Sequence, residues 1–257
     1  MADTLFTTIE RAHGDRPWGS VLDAGTGDHS LGWICGLPTR RWTAITGDAR
    51  RRDRMAERFG TKMRLGDRIL SGNWTDPGML AGEQFDVVLA DYLLGAVDGF
   101  APYFQDRLFE RLWLHTKPGG RLYTVGLGPY PDQSDTPGGR LILEIARLRD
   151  ACILLAGHRC YREYPRDWVI RHLTAAGFTV DDAVSVPILY GARFINGQLN
   201  VCLRKLPLFA DQALAEQMRS HIEDVRQQAL ALPSLQQKGG IRFGHDYVVS
   251  ATRPATT

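Results

Sequence analysis

Short apolar runs alternate with segments of helical spacing along the first half of the chain. The runs are bounded by glycine, proline or aspartate and are rich in β-branched or aromatic residues, which is typical of strands buried on both faces. The predicted strands are Ser20–Ala24, Trp42–Thr46, a third within 63–70, Phe85–Ala90 and Arg121–Val125. The third strand has its core either at Met63–Leu65 or at Arg68–Leu70. This alternation predicts βαβ units and a parallel sheet.

Apolar positions three and four residues apart predict helices between these strands. The predicted helices are Thr4–His13, one beginning near Ser30, Asp53–Phe59, Phe104–His115, Arg140–Gly157, Asp167–Ala176 and a long amphipathic helix at Asp211–Leu232. A sixth strand is expected to begin at Phe178–Val180, and Asp246–Ala251 is expected to be the last strand. Pro118–Gly120 is predicted to be a turn.

The length favours one α/β domain carrying insertions. We expect residues 1–257 to form this domain, with 1–17 as an N-terminal helix or lid and 187–244 as a helical insertion or cap. The loop at 126–139 is rich in proline, glycine, aspartate and serine, a composition common in functional loops.

Composition excludes several classes of function. The chain is 44% hydrophobic and 23% charged, with a formal net charge of +2. That charge is too small to favour nucleic acid as the main partner, and Arg50–Arg52 with Arg54 are interpreted as the solvated start of a helix. Four cysteines without zinc-ligand spacing indicate reduced thiols and no metal site. No signal peptide or apolar run of about 20 residues is seen, so we expect a cytoplasmic protein without a membrane span.

Three features converge on a nucleotide-like cofactor. A glycine-rich turn, Gly25-Thr26-Gly27, follows the first strand, and glycine there allows close backbone approach and positive φ angles. Asp48 ends the second strand, where a carboxylate can accept hydrogen bonds from ribose hydroxyls. Asn73 and Trp74 follow the third strand, where an amide and an indole suit adenine. Each feature also has a structural alternative. The glycines could form an ordinary tight turn, Asp48 could be a helix N-cap, and Trp74 could pack in the core.

The residues around the turn discriminate between cofactors. A dinucleotide site favours G-x-G-x-x-G, but Ser30 stands where the third glycine or alanine would fall. Asp23 precedes the first glycine by two positions, and its carboxylate would repel a pyrophosphate and attract a cationic amino-acid tail. This favours S-adenosyl-L-methionine, which carries an ammonium and a sulfonium and no phosphate.

The chain resembles the class I S-adenosylmethionine-dependent methyltransferases. The resemblance is carried by Val21–Gly27, Asp48, Phe85–Asp91 and Lys117–Leu122, and Asp246–Ala251 is similar to the family's antiparallel last strand. It covers roughly 18–186 and 245–252. It implies a Rossmann-like, doubly wound α/β sheet of mostly parallel strands with an antiparallel last strand, plus a helical insertion between the last two strands.

The resemblance also implies roles for individual residues. Asp23, Gly25, Thr26 and Gly27 would line the methionine part of the cofactor, and Asp48 would hold the ribose. The other implied cofactor contacts are Asn73 and Trp74 at adenine, and Asp91. Two positions depart from the family pattern: His29 stands where many members have a third glycine, and Asn73 stands where aspartate is common.

Methyl transfer requires alignment of the acceptor and, where the acceptor loses a proton, a base. Asp91 and Tyr92 are the predicted catalytic residues, with a structural role for Asp91 as the alternative. Tyr190, Arg193 and Asn196 are predicted to face the acceptor, since Arg193 suits a carboxylate or phosphate. Helix packing or a homodimer contact is the alternative for that region. We expect a small-molecule acceptor; a nucleic-acid methyltransferase and a non-catalytic cofactor-binding subunit remain alternatives.

Overall fold

The computed structural model describes residues 4–236 and 239–255, which fall into two compact units. The first unit comprises 4–128, 161–186 and 246–255, and the second comprises 129–160, 187–236 and 239–245. The expected domain 1–257 therefore contains two compact parts. The predicted 1–17 and 187–244 segments each include residues outside the described part of the chain.

One sheet of seven strands runs in the order β3-β2-β1-β4-β5-β7-β6. The strands are β1 (Ser20–Asp23), β2 (Arg41–Thr46), β3 (Arg68–Ser71), β4 (Phe85–Asp91), β5 (Thr116–Leu127), β6 (Thr179–Tyr190) and β7 (Ile241–Thr252). The pairs β1–β2, β2–β3, β1–β4 and β4–β5 are parallel, and β7 runs antiparallel to β5. The predicted fold class is confirmed.

Helices connect the strands. They are α1 (Thr4–His13), α2 (Asp28–Ile34), α3 (Ala49–Phe59), α4 (Leu93–Ala96), α5 (Gln105–His115), α6 (Pro137–Leu155), α7 (Arg166–Ala175), α8 (Ala192–Lys205), α9 (Gln212–Ala231) and α10 (Pro233–Gln236). Short 3₁₀ turns lie at Gly60–Lys62, Val97–Gly99 and Leu206–Leu208. Within the described residues, no helix has both the length and the apolar character needed to cross a bilayer.

The strand order places a topological switch point beside β1. From β1 the chain builds β2 and β3 on one side and then returns to add β4 on the other. The loops that leave the carboxyl ends of β1 and β4 therefore diverge, and an open α/β sheet binds ligands in the crevice between such loops.

Side chains on alternate positions of the strands pack into two separate cores, one on each face of the sheet. Leu22, Val88 and Leu122 belong to one core, whereas Val21 and Val87 belong to the other. Because both faces of the central strands β1 and β4 are covered, these strands are almost continuously apolar, which is why the sequence pattern located them. The second unit has its own core, built mainly from α6, α8 and α9.

Most element predictions are confirmed, one open alternative is settled and two predictions need correction. The third strand is Arg68–Ser71, which agrees with the second of its two predicted positions. The helix predicted from Asp53 begins at Ala49, because Asp48 caps it. The turn predicted at Pro118–Gly120 lies inside β5, where the register of the β4–β5 pair shifts between Phe85 and Val87.

Candidate functional site

The turn after β1 is fixed to both neighbouring strands by backbone hydrogen bonds. Ala24 N–H donates to Leu89 O at 2.8 Å, and Thr26 N–H donates to Ile45 O at 2.7 Å. At the start of α2, Gly27 N–H donates to Ser30 Oγ at 3.0 Å. Ser30, which replaces the third glycine of a dinucleotide motif, therefore uses its hydroxyl to order the end of the turn.

Gly25 is required for packing and not for an unusual backbone angle. Neither Gly25 nor Gly27 is among the residues with positive φ, so that part of the sequence interpretation is wrong. A Cβ atom at Gly25 would lie 2.8 Å from Leu93 Cδ1. Glycine thus allows the first residue of α4 to approach the turn closely.

Asp23 is a buried carboxylate that makes no hydrogen bond of ordinary geometry with the described residues. Its side chain has no exposed area, and neither Oδ1 nor Oδ2 accepts a hydrogen bond from another described residue. Burial raises the pKa of Asp23 to about 6, although the nearby hydroxyls of Thr26 and Ser30 act in the opposite direction. An unpaired buried carboxylate is costly, and a cationic group placed beside it would offset that cost.

Asp48 caps α3 and also lines the candidate cavity. Its Oδ1 accepts hydrogen bonds from Arg50 N at 2.8 Å and Arg51 N at 3.3 Å, so the N-cap alternative is confirmed. Its Oδ2 accepts no hydrogen bond from the described residues and is available to a ligand. The cap orients the carboxylate, so the structural role and the predicted binding role are compatible.

Asn73 and Trp74 hold the loop after β3 against the rest of the site. Trp74 Nε1 donates to Ala24 O at 2.8 Å, and the indole is 4% exposed. Asn73 Nδ2 donates to Phe100 O at 2.7 Å, while its Oδ1 accepts from Thr75 N at 3.0 Å. The Asn73 amide is thus engaged within the protein, whereas the Trp74 ring borders the cavity.

These loops enclose a cavity of about 230 Å³ at the carboxyl ends of β1, β2 and β3. Of the residues predicted to bind the cofactor, those lining it are Gly25, Thr26, Asp48, Asn73 and Trp74. Asp23 lies behind the turn, and Gly27 and Asp91 are not among the lining residues.

The lining residues that the sequence reasoning missed include Arg51, Leu93, Phe100 and Tyr161. Phe100 and Tyr161 are aromatic residues with 46% and 56% exposure, which is unusual for large apolar side chains. No local pattern marks them, because they reach the cavity from segments far apart in the chain. Of these residues, only Arg51 could have been expected at the cavity from the sequence, because it lies three residues after Asp48.

The predicted catalytic residues lie at the end of β4. Asp91 pairs with Val125 across the β4–β5 ladder, and Tyr92 N–H donates to Val125 O at 3.0 Å. Tyr92 has a left-handed backbone with φ of 47°. Burial, followed by the charges of Asp246 and Asp91, raises the pKa of Tyr92 far above its usual range. Tyr92 is therefore a hydroxyl and not a phenolate at neutral pH, which leaves Asp91 as the better predicted base.

The predicted acceptor residues belong to the second unit. Tyr190 is buried in its core with its hydroxyl against that of Tyr130, and Arg193 is exposed. Asn196 Oδ1 accepts a hydrogen bond from Arg226. Their binding role stays a prediction. No cluster of three or more His, Cys, Asp or Glu among the described residues is arranged to hold a metal ion.

Comparison with known proteins shows the fold. No family model matches the sequence, and no curated protein sequence matches it. A candidate methyltransferase of Bacillus halodurans C-125 superposes with a TM-score of 0.63 and 14% identity, covering 99% of this chain and 100% of that one. The 1,6-didemethyltoxoflavin-N1-methyltransferase of Burkholderia thailandensis, with its substrate and S-adenosylhomocysteine bound, gives 0.51 and 17%, covering 96% and 76%.

A third similar structure limits what the fold implies. The 4+2 cyclase SpnF gives a TM-score of 0.53 at 16% identity, covering 98% of this chain and 80% of that one. The protein therefore has the fold of the class I methyltransferases. Because a cyclase shares that fold, the reaction is set by the residues of the site and not by the fold.

Proposed function

We propose that this protein binds S-adenosyl-L-methionine and transfers its methyl group to a small-molecule acceptor. The observation that carries the proposal is the cavity at the switch point, bordered by Asp48 and Trp74, with the unpaired carboxylate of Asp23 behind its glycine turn. A buried carboxylate without a partner indicates a cationic ligand group. The bound S-adenosylhomocysteine of the Burkholderia enzyme supports the same cofactor class.

The residues present fit the parts of this cofactor. Asp48 Oδ2 would accept hydrogen bonds from the ribose, and Trp74, Phe100 and Tyr161 offer aromatic surface to adenine. The cavity of about 230 Å³ is smaller than a typical small-molecule site, so it suits the adenosine part. The methionine part would pass over the turn, where the Asp23 charge attracts its ammonium.

Bound in this way, the cofactor supplies an activated methyl group on a sulfonium, which is itself the leaving group. The chain has to hold the acceptor in line with that methyl, and such positioning can lower a barrier by about 7–11 kcal/mol. Where the acceptor must lose a proton, Asp91 at the end of β4 is the proposed base.

The arginine run supports a small molecule over nucleic acid as the acceptor. Arg51 lines the cavity, and Arg52 pairs with Asp53 at 2.6 Å. One arginine of the run thus faces the cavity and another is neutralised, which leaves less positive charge for a phosphate backbone.

Titration calorimetry with S-adenosylhomocysteine tests the cofactor assignment. Asp48→Asn keeps a side chain that caps helices well but removes the charge, so we expect affinity to fall by about 1–2 kcal/mol with little change in melting temperature. Asp48→Ala should in addition lower the stability by about 1 kcal/mol. Asp53→Asn, on the same helix and outside the cavity, is the matched control.

No binding by the wild-type protein would refute the assignment, and equal losses in Asp48→Asn and Asp53→Asn would remove Asp48 from the site. Turnover is tested with methyl-labelled cofactor offered with small-molecule extracts and, separately, with RNA. Label transferred to a low-mass product supports the proposal. Transfer only to RNA, or binding without any transfer, supports the nucleic-acid or the non-catalytic alternative instead.

A further inference from the structure

A second cavity lies at the opposite edge of the sheet within the first unit. It has a volume of about 690 Å³ and lies at the amino ends of β1, β4 and β5. Its size falls within the range of small-molecule sites. The cofactor cavity, by contrast, lies at the carboxyl ends of the parallel strands, so the two cavities are separate.

Positive charge dominates the lining of this second cavity. Arg16, Arg40, Lys117 and Arg121 line it, together with one carboxylate, Asp86. Asp86 is shared, since Lys117 Nζ lies 2.8 Å from its Oδ1 and Arg40 Nη2 lies 3.4 Å from its Oδ2.

The remaining two guanidinium groups are only weakly neutralised. Arg121 Nη2 lies 3.7 Å from Asp181 Oδ2, beyond hydrogen-bond distance. Among the described residues, Arg16 donates only to backbone carbonyls, to His13 O at 2.9 Å and Ala12 O at 3.5 Å. Four cations thus face two carboxylates, an excess of two positive charges at one cavity (4 − 2).

A buried imidazole borders the same cavity. His13 is 1% exposed, and its Nδ1 forms a hydrogen bond with the Tyr123 hydroxyl at 2.9 Å. Its Nε2 has no partner among the described residues. Burial lowers the pKa of His13, so the ring is neutral at pH 7 and carries one N–H. Trp18 stacks on the ring at 3.7 Å and fixes its orientation.

We infer that this cavity is a binding site for a small molecule carrying a multivalent phosphate group. Guanidinium groups form paired hydrogen bonds with phosphate oxygens, and an ammonium adds a point charge beside them. A compact group with two or more negative charges matches the local excess of two positive charges, which a monocarboxylate does not. The concave shape favours a small molecule over an extended polyanion.

Calorimetry with inorganic pyrophosphate at physiological salt tests the site. We expect the wild-type protein to bind the probe, and the double variant Arg16→Ala/Arg40→Ala to bind it at least about tenfold more weakly. The control Arg54→Ala/Arg107→Ala removes the same charge from exposed arginines outside the cavity and should bind normally. Melting temperatures of both double variants verify that they fold.

Two further binding experiments test the ligand class and the place of binding. Citrate should bind more weakly than pyrophosphate, and equal or tighter binding of citrate would overturn the phosphate assignment. Saturating S-adenosylhomocysteine should leave pyrophosphate binding unchanged, whereas competition would place the probe in the other cavity and overturn the inference. Absence of wild-type binding, or equal losses in the two double variants, would also overturn it. None of these outcomes depends on methyl transfer.

Discussion

The two ends of β1 hold carboxylates in opposite circumstances. At its amino end, Asp86 of the neighbouring strand accepts hydrogen bonds from Ser20 N and Ser20 Oγ, both at 2.7 Å, and from Lys117 Nζ at 2.8 Å. At its carboxyl end, Asp23 accepts none from the described residues. Burial raises the pKa of Asp23 to about 6. Partial burial also raises the pKa of Asp86, but the Lys117 and Ser20 hydrogen bonds outweigh it and lower that pKa to about 2.

This difference separates a carboxylate that stabilises the fold from one that the fold carries at a cost. Asp86 ties the starts of β1, β4 and β5 together, so its charge is favourable in the folded protein. Asp23 is charged in the unfolded chain at neutral pH and loses its hydration on folding. A costly group retained beneath a turn that borders a binding crevice is typical of functional sites.

The largest expected effect is that of Asp23→Asn on the pH dependence of stability. Because the folded pKa of about 6 lies above the unfolded value of 3.8, the wild-type protein should lose stability as pH rises between them. The loss is about 3 kcal/mol, from about 1.4 kcal/mol for each pKa unit. Urea denaturation of both proteins at about pH 4 and pH 7.5 measures this loss of stability. The wild-type protein should show the loss, and the Asp23→Asn variant should not.

The same variant should bind the cofactor more weakly at neutral pH while being no less stable than the wild type. If the wild-type protein shows no loss of stability between these pH values that the variant lacks, Asp23 has a partner that removes its cost. The contrast with Asp86 would then fail.

A smaller effect of opposite sign is expected for Asp86→Asn. Its folded pKa of about 2 lies below the unfolded 3.8, so its stabilisation is present above pH 3.8 and is lost as pH falls through 2. We expect about 1–2 kcal/mol of destabilisation at neutral pH, less than the pKa shift alone implies because solvent screens this partly exposed group. Denaturation at neutral pH and near pH 2 should show the difference from wild type shrinking in acid.

The smallest effects come from the hydroxyls beside the two carboxylates. Ser20→Ala removes a donor to Asp86 and should cost about 1 kcal/mol. Thr26→Val removes a buried hydroxyl that makes no hydrogen bond of ordinary geometry with the described residues and only partly offsets the burial of the Asp23 charge. It should therefore change stability by less than Ser20→Ala does, by about 0.5 kcal/mol. Equal losses in the two variants, measured by thermal denaturation, would show that the hydroxyl at Thr26 is also structurally engaged.

The sequence located the parts of the cofactor site that follow directly from strand ends. Gly25, Asp48 and Trp74 each come one to three residues after a buried strand, and the carboxyl ends of parallel strands meet at one edge. It did not show that the Asn73 amide would be used by Phe100 O, since that contact joins two loops 27 residues apart.

Taken alone, the sequence determined the order of the strands and of most helices, the parallel sheet and the position of the glycine turn. These follow from local periodicity, because a strand covered on both faces must be apolar almost throughout. The tertiary structure decided which polar groups find partners. Asp23 and Asp86 are both aspartates on buried strands, and only the packing of Ser20 and Lys117 around one of them gives the two carboxylates opposite pKa shifts.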